Sequence, residues 1–174
     1  MRIDVIKVGG LECNCYLLEK DNQYLLVDPG EELNKILHFI HGKDILGILI
    51  THYHYDHVGS LKYLQDHFHY SVYDFFHLEE GVKIIGPFVM EVIFSPGHSK
   101  DMVSYYFRED KVMITGDFLF KGTIGRCDLD GGNFSFMYDS IQKIKQYDDD
   151  IVIYPGHGES STLGEEKKYN PYFG

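Results

Sequence analysis

Four times along this chain an apolar run stops and a histidine or aspartate follows within a few residues. The runs are Asp44 to Ile50, Phe88 to Phe94, Lys111 to Thr115 and Ile151 to Tyr154. Their length and apolar content predict strands, the first buried on both faces. Behind them come Thr51-His52-Tyr53-His54-Tyr55-Asp56-His57, Ser95-Pro96-Gly97-His98, Gly116-Asp117 and Pro155-Gly156-His157-Gly158. A strand end can turn several side chains toward one point, and glycine lets the backbone turn closely there. The chain is thus constrained to a sheet fold whose strand ends present these side chains at equivalent places.

The other patterns fill in that frame. Arg2 to Val8, Cys13 to Leu18 and Gln23 to Asp28 read as an antiparallel meander, punctuated by Gly9-Gly10 and stopped by Pro29-Gly30. From Glu31 the spacing becomes helical, with Leu33, Ile36, Leu37 and Ile40 on one face and an end near Gly42. Leu61, Leu64, Gln65 and Phe68 predict a short amphipathic helix. Further strands are expected at Gly81 to Ile85 and Met102 to Arg108. A glycine-rich segment from Gly122 to Asn133 leads into a helix at about Phe134 to Gln146, and a short polar helix near Gly164 to Lys168 ends the series. Each half runs strands, helix, strand. The expectation is an α/β (α+β) fold, two mixed sheets packed face to face with helices on both outer faces.

Size and charge narrow the function. The 174 residues fit one domain, 1–174, able to bury a core without disulfides. Sixteen basic against 27 acidic residues leave a net charge of -11, which disfavours nucleic acid and anionic lipid as partners. No signal-peptide pattern or membrane-length apolar run is read, and Cys13, Cys15 and Cys127 are odd in number, with the first two badly spaced for a bridge. A cytoplasmic protein without membrane attachment is expected.

The chemistry is read from the ten histidines. His52, His54, Asp56 and His57 offer imidazole and carboxylate donors suited to zinc or iron within six residues. Alone, that stretch could be a solvated histidine-rich turn, and a lone strand-end His98, Asp117 or His157 could be an ordinary turn or cap residue. Together they supply seven donors of one kind. His38, His41, His67, His69 and His77 lack such spacing and are read as surface residues.

The His52-x-His54-x-Asp56-His57 motif with His98, Asp117 and His157 resembles the metallo-β-lactamase superfamily, over nearly the whole chain. Gly116-Asp117-Phe118-Leu119-Phe120, Gly125-Arg126-Cys127-Asp128 and the tail Glu166 to Pro171 look most like its glyoxalase II-like hydrolases. The resemblance implies an αββα sandwich. It implies that His52, His54 and His98 hold one metal, that Asp56, His57 and His157 hold a second, and that Asp117 bridges both. Two divalent metal ions, zinc first with iron or manganese as alternatives, would generate a bridging hydroxide from water. Asp56 is expected to orient that nucleophile and handle its proton.

By the same resemblance Arg126 is a candidate anchor for the anionic thiol part of a thioester; the other reading is a surface arginine pairing with Asp128 or Asp130. Cys13, Cys15 and Cys127 read as packing residues, and Tyr53 and Tyr55 as aromatics that stiffen the ligand loop. The chain departs from full glyoxalase II in stopping soon after Asn170-Pro171, without a C-terminal helical substrate domain. Asp128 stands where the glutathione-specific enzymes tend to carry tyrosine. The expected activity is hydrolysis of a small-molecule acyl thioester or ester. Alternatives are a lactonase, phosphodiester or β-lactam hydrolysis, an iron-dependent persulfide dioxygenase-like enzyme, and a non-enzymatic metal-binding module.

Overall fold

The computed structural model describes residues 1–174. Five strands form the first sheet: β1 (Arg2–Val8), β2 (Cys13–Lys20), β3 (Gln23–Val27), β4 (Asp44–Leu49) and β5 (Val72–Tyr73), in that spatial order. The first three pair antiparallel; β4 joins β3, and β5 joins β4, in parallel. The crossovers that parallel pairing requires are α1 (Leu33–Ile40) and then α2 (Tyr55–Val58) with α3 (Leu61–Phe68).

The second sheet contains β6 (Gly81–Ile85), β7 (Phe88–Phe94), β8 (Val103–Phe107), β9 (Val112–Gly116), β12 (Val152–Pro155) and β13 (Ser161–Thr162), with β6 and β13 at its edges. Between β9 and its parallel neighbour β12 runs α4 (Phe134–Ile144). A small hairpin of β10 (Leu119–Phe120) and β11 (Thr123–Ile124) follows β9, and α5 (Leu163–Tyr169) follows β13.

Side-chain alternation along the strands creates the layers. Tyr16, Leu18, Leu25, Val27 and Leu49 of the first sheet meet Phe88, Met90, Val103, Tyr105 and Ile114 of the second in a central core. The other face of the first sheet, including Cys15, Leu17, Leu26 and Ile48, is covered by Ile36 and Ile40 of α1 and Leu61 and Leu64 of α3. The outer face of the second, including Ile93, Tyr106, Met113 and Ile153, packs on Met137, Ile141 and Ile144 of α4 and Leu163 of α5. Two mixed sheets with helices outside is the predicted architecture. Leu, Ile and Phe side chains buried this completely each stabilise by about 1.5–3 kcal/mol relative to exposure.

Local differences from the sequence reading have local causes. Helix α1 starts at Leu33 rather than Glu31 because Glu32 takes a left-handed conformation (φ 61°) and its carboxylate accepts from the Gly9 N–H at 2.9 Å. The histidine-rich loop contains a helical turn, α2. The short strands β5, β10, β11 and β13 have too few residues to show a period. At the tail, Thr162 and Glu165 form a reciprocal capping box on α5.

The tail also supports the loop that follows β9. Glu166 and Asn170 are both buried. The Glu166 carboxylate accepts from Ser161 Oγ, from the Gly122 N–H at 2.8 Å and from Asn170 Nδ2 at 2.8 Å, while Asn170 Nδ2 also reaches the Thr123 carbonyl at 3.1 Å. Replacing Asn170 with Ala leaves a buried carboxylate and carbonyl short of donors, so Asn170→Ala is expected to cost about 1–3 kcal/mol in urea unfolding. A loss below 0.5 kcal/mol would show that the tail is not a structural tie.

Candidate metal centre

All seven predicted donors converge at one end of the sandwich. His52 and His54 leave the end of β4; Asp56 and His57 lie on α2, for which His54 is the N-terminal cap residue. His98 follows β7, Asp117 follows β9 and His157 follows β12. Because β9 and β12 are parallel neighbours, with Gly156 N–H donating to the Gly116 carbonyl at 2.8 Å, Asp117 and His157 emerge side by side. His52, Asp56, His57, His98 and Asp117 are buried, whereas His54 and His157 are half-buried and mark the open side.

The donors fall into two groups. In the first, His54 Nδ1 lies 3.1 Å from His52 Nε2 and 2.9 Å from His98 Nε2. In the second, Asp56 Oδ2 lies 3.1 Å from His157 Nε2 and 3.6 Å from His57 Nε2. Asp117 stands between them: Oδ1 is 3.3 Å from His57 Nε2, and Oδ2 is 3.6 Å from both His98 Nε2 and His157 Nε2.

The far side of each ring fixes which nitrogen carries its proton. His98 Nδ1 donates to the Arg126 carbonyl at 2.8 Å, and His157 Nδ1 to the Leu11 carbonyl at 3.0 Å. His57 Nδ1 donates to Asp28 Oδ2 at 2.9 Å. His52 Nδ1 faces Thr51 Oγ1 at 3.1 Å, and that hydroxyl already donates to Asp28 Oδ2, so here it accepts. Four rings therefore turn an Nε2 lone pair inward. Several lone pairs and a carboxylate facing one another in a buried space repel unless a cation or protons stand between them. His57 Nε2 and Asp117 Oδ1 are buried without a hydrogen-bond partner. The donor set and these two orphaned atoms fit divalent cations held by imidazole and carboxylate.

Two glycines permit the convergence. A Cβ on Gly156 would lie 2.2 Å from Asp117 Oδ1 and 2.6 Å from His57 Cε1. A Cβ on Gly30 would lie 1.9 Å from the Asp56 carbonyl. Both close approaches require a hydrogen in place of a side chain.

Asp28 is a member of this site that the sequence reading passed over as a strand terminus, although like the predicted donors it directly follows an apolar run. Asp74 and Asp101 were also missed. Asp101 accepts from the Tyr53 N–H at 3.1 Å, and buried Asp74 accepts the Tyr53 phenol while capping the Phe76 and His77 N–H groups at 2.9 Å each. Tyr53 is thus held at both ends between two ligands, the stiffening role expected of it, while Tyr55 projects into solvent. No periodicity signals Asp74 or Asp101, since their partners are remote in sequence.

Cys13 and Cys15 are buried among apolar side chains. Cys13 Sγ comes within 3.5 Å of His57, but at Nδ1, away from the inward Nε2, and burial pushes its thiol up to about 11. It remains a packing residue. Arg126 is exposed and bidentate with Asp128, both contacts at 2.7 Å; its carbonyl orients His98. His38, His41, His67, His69 and His77 are all exposed, as read.

Without cations, charge is distributed unevenly. Burial and the neighbouring imidazoles hold the pKa of His52 well below the usual range. Burial acts against charge on His57 too, but Asp28 and Asp117 outweigh it and hold that pKa well above 6.5. Burial likewise opposes charge on Asp56 and Asp117, yet the facing histidines bring both below their ordinary value. A proton on His57 therefore takes the place of a cation. Its contribution to stability is present below the unfolded pKa of about 6.5 and is lost as pH rises through the raised folded value.

Two predictions follow from this arrangement. Zinc titration near pH 7 in buffers of different ionisation enthalpy should show net proton release that falls as pH rises and His57 loses its proton before the metal arrives; release that does not change with pH would show that His57 is already neutral. Gly156→Ala should lower the zinc content, read by elemental analysis, from two ions per chain to about one or none, because its Cβ displaces Asp117 and His57. Two ions retained would contradict the geometry.

Comparisons with known proteins identify the family and the fold. The sequence matches the family model described as Metallo-beta-lactamase superfamily over residues 8–75 and 72–157. It is 34% identical to "Probable metallo-hydrolase YqgX" of Bacillus subtilis, over 95% of this chain and 94% of that protein. It is 30% identical to "Hydroxyacylglutathione hydrolase GloC" of Haemophilus influenzae, over 99% of this chain and 98% of that protein. The crystal structure of TTHA1623 in a di-iron-bound form superposes with a TM-score of 0.89 at 31% identity, covering 97% of this chain and 99% of that one.

Proposed function

This chain belongs to the metallo-β-lactamase superfamily, and on that premise we propose that it is a dinuclear metal-dependent hydrolase of acyl thioesters. The observation that carries the reading is Asp117, whose two oxygens face both donor groups. A carboxylate spans two cations roughly 3.5–4 Å apart, a separation that suits hydrolytic two-metal sites. Such a pair supplies a Lewis acid for a carbonyl oxygen and acidifies water from a pKa of about 15.7 to near neutrality.

The chain's own residues do the rest. His52, His54 and His98 form one binding face; Asp56, His57 and His157 form the other. Asp56 uses Oδ2 toward His57 and His157, leaving Oδ1 to accept a hydrogen bond from the attacking water and take its proton. A carboxylate is ionised at neutral pH, so Asp56 is in the form that accepts a proton. The half-buried His54 and His157 sides admit substrate, while the buried His52 and His57 side excludes bulk water.

The thioester assignment is supported by the GloC relative, which is named a hydroxyacylglutathione hydrolase. Arg126 belongs to the same reading as anchor for an anionic thiol part. Its pair with Asp128 is exposed on both sides and screened by solvent, so the guanidinium can exchange that partner for a substrate carboxylate. Zinc is the first choice of metal. The di-iron form of TTHA1623 keeps iron, and with it oxygen-dependent sulfur chemistry, as the second reading.

Protein reconstituted separately with zinc, iron or manganese should hydrolyse S-lactoylglutathione, and Asp117→Ala should lose bound metal and activity together. Hydrolysis unaffected in Asp117→Ala would overturn the assignment. Consumption of oxygen with a persulfide by the iron form, without thioester turnover, would establish the second reading in its place.

A further inference from the structure

His157 stands on a turn with little stiffness of its own. It leaves the end of β12 in Pro155-Gly156-His157-Gly158, with glycine on both sides of the ring, and Gly158 is left-handed (φ 78°). Gly156 cannot be exchanged for a stiffer residue, because Asp117 and His57 occupy the place of its Cβ. The ring is only half-buried, so packing does not fix it either. A turn this free holds a ligand in place only if other groups fix its backbone.

Those groups come from the other sheet, and chiefly from one residue. Asn14, 3% exposed near the start of β2, donates its N–H to the Gly156 carbonyl at 2.7 Å. Its side-chain Nδ2 donates to the carbonyls of Pro155 at 3.0 Å and Gly158 at 3.1 Å. One amide nitrogen therefore bridges both flanks of His157. Tyr16 adds a second bond to the Pro155 carbonyl at 2.5 Å, on one flank only. The ring is aimed from the same stretch of chain, since His157 Nδ1 donates to the Leu11 carbonyl. Bridging two carbonyls takes two N–H donors on one short side chain. An ionised aspartate has none, serine has one, and glutamine carries its amide one carbon farther out.

We propose that Asn14 is a positioning residue for the second donor group. By fixing the turn on both sides of His157, it sets the affinity for the ion held with Asp56 and His57 and leaves the ion of His52, His54 and His98 unaffected. The proposal rests on the two-metal reading of the site and on no particular substrate.

Zinc uptake by the full chain, followed by chelator competition, gives two dissociation constants. The His157→Ala protein, which keeps the first donor group, identifies the constant that belongs to that group. Asn14→Ala should weaken the other constant by about 10–100-fold, the loss typical of an outer partner of a ligand. Asn14→Ser, a milder change that keeps one donor, should fall between Asn14→Ala and wild type. In the His157→Ala background, Asn14→Ala should leave the remaining constant unchanged, because the residue through which it acts is gone. Tyr16→Phe removes a bond to the same Pro155 carbonyl while Asn14 still holds both flanks, and it should keep both constants near wild type. Equal weakening of both ions in Asn14→Ala overturns the proposal, and so does a loss in Tyr16→Phe that matches it, since either is the mark of a general tie between the sheets. Wild-type protein that takes up a single ion removes the two-metal reading and the proposal with it; two ions whose constants Asn14→Ala does not move remove the proposal alone.

Discussion

A buried carboxylate costs several kcal/mol unless its oxygens are matched by donors, and Asp28, 1% exposed at the end of β3, meets that requirement with three. Thr51 N–H reaches Oδ1 at 2.8 Å, Thr51 Oγ1 reaches Oδ2 at 2.7 Å, and His57 Nδ1 reaches Oδ2 at 2.9 Å. One side chain thereby fixes the exit of β4, the hydroxyl against which His52 is oriented, and the ring of His57. Outer partners of this kind typically govern metal affinity by 10–100-fold. Most of the ligand geometry in the first half of the chain is referred to this one residue, which itself sits in a left-handed conformation (φ 47°).

The two halves solve the same problem differently. In the first, four donors come from one loop and one helical turn, tied inward by Asp28 and outward by the hold of Asp74 and Asp101 on Tyr53. In the second, single donors leave separate strands, and their spacing is set by backbone: the β9–β12 register places Asp117 beside His157, and the Arg126 carbonyl aims His98. The tail holds the loop that carries Arg126 through buried Glu166 and Asn170. Residues far from the centre in sequence therefore govern its precision.

Much of this was legible before any coordinates. The seven donors are written as strand-end residues beside glycines or in one dense motif, and the long strands carry enough apolar residues to show their period. Legibility stopped where the information is pairwise. Asp74, Asp101 and Asp28 look like ordinary loop acids until Tyr53 and His57 are found beside them. Strands of two residues, such as β5 and β10, have no period to read. The fate of Arg126 was open for the same reason, since Asp128 lies two residues away and only geometry shows the pair closed.

Neither half supplies all the donors of either group. His52 and His54 come from the first sheet and His98 from the second; Asp56 and His57 come from the first and His157 from the second. An ion held by either group would therefore be a rivet through the seam between the two layers, added to the hydrogen bonds that already cross it from Asn14 and Tyr16 to the Pro155 carbonyl and from Tyr105 to the Ile50 carbonyl. Such a rivet would tie the spacing of the donors to the spacing of the sheets. The spacing on which catalysis depends and the mechanical closure of the sandwich are in this sense a single property, set by the same few atoms.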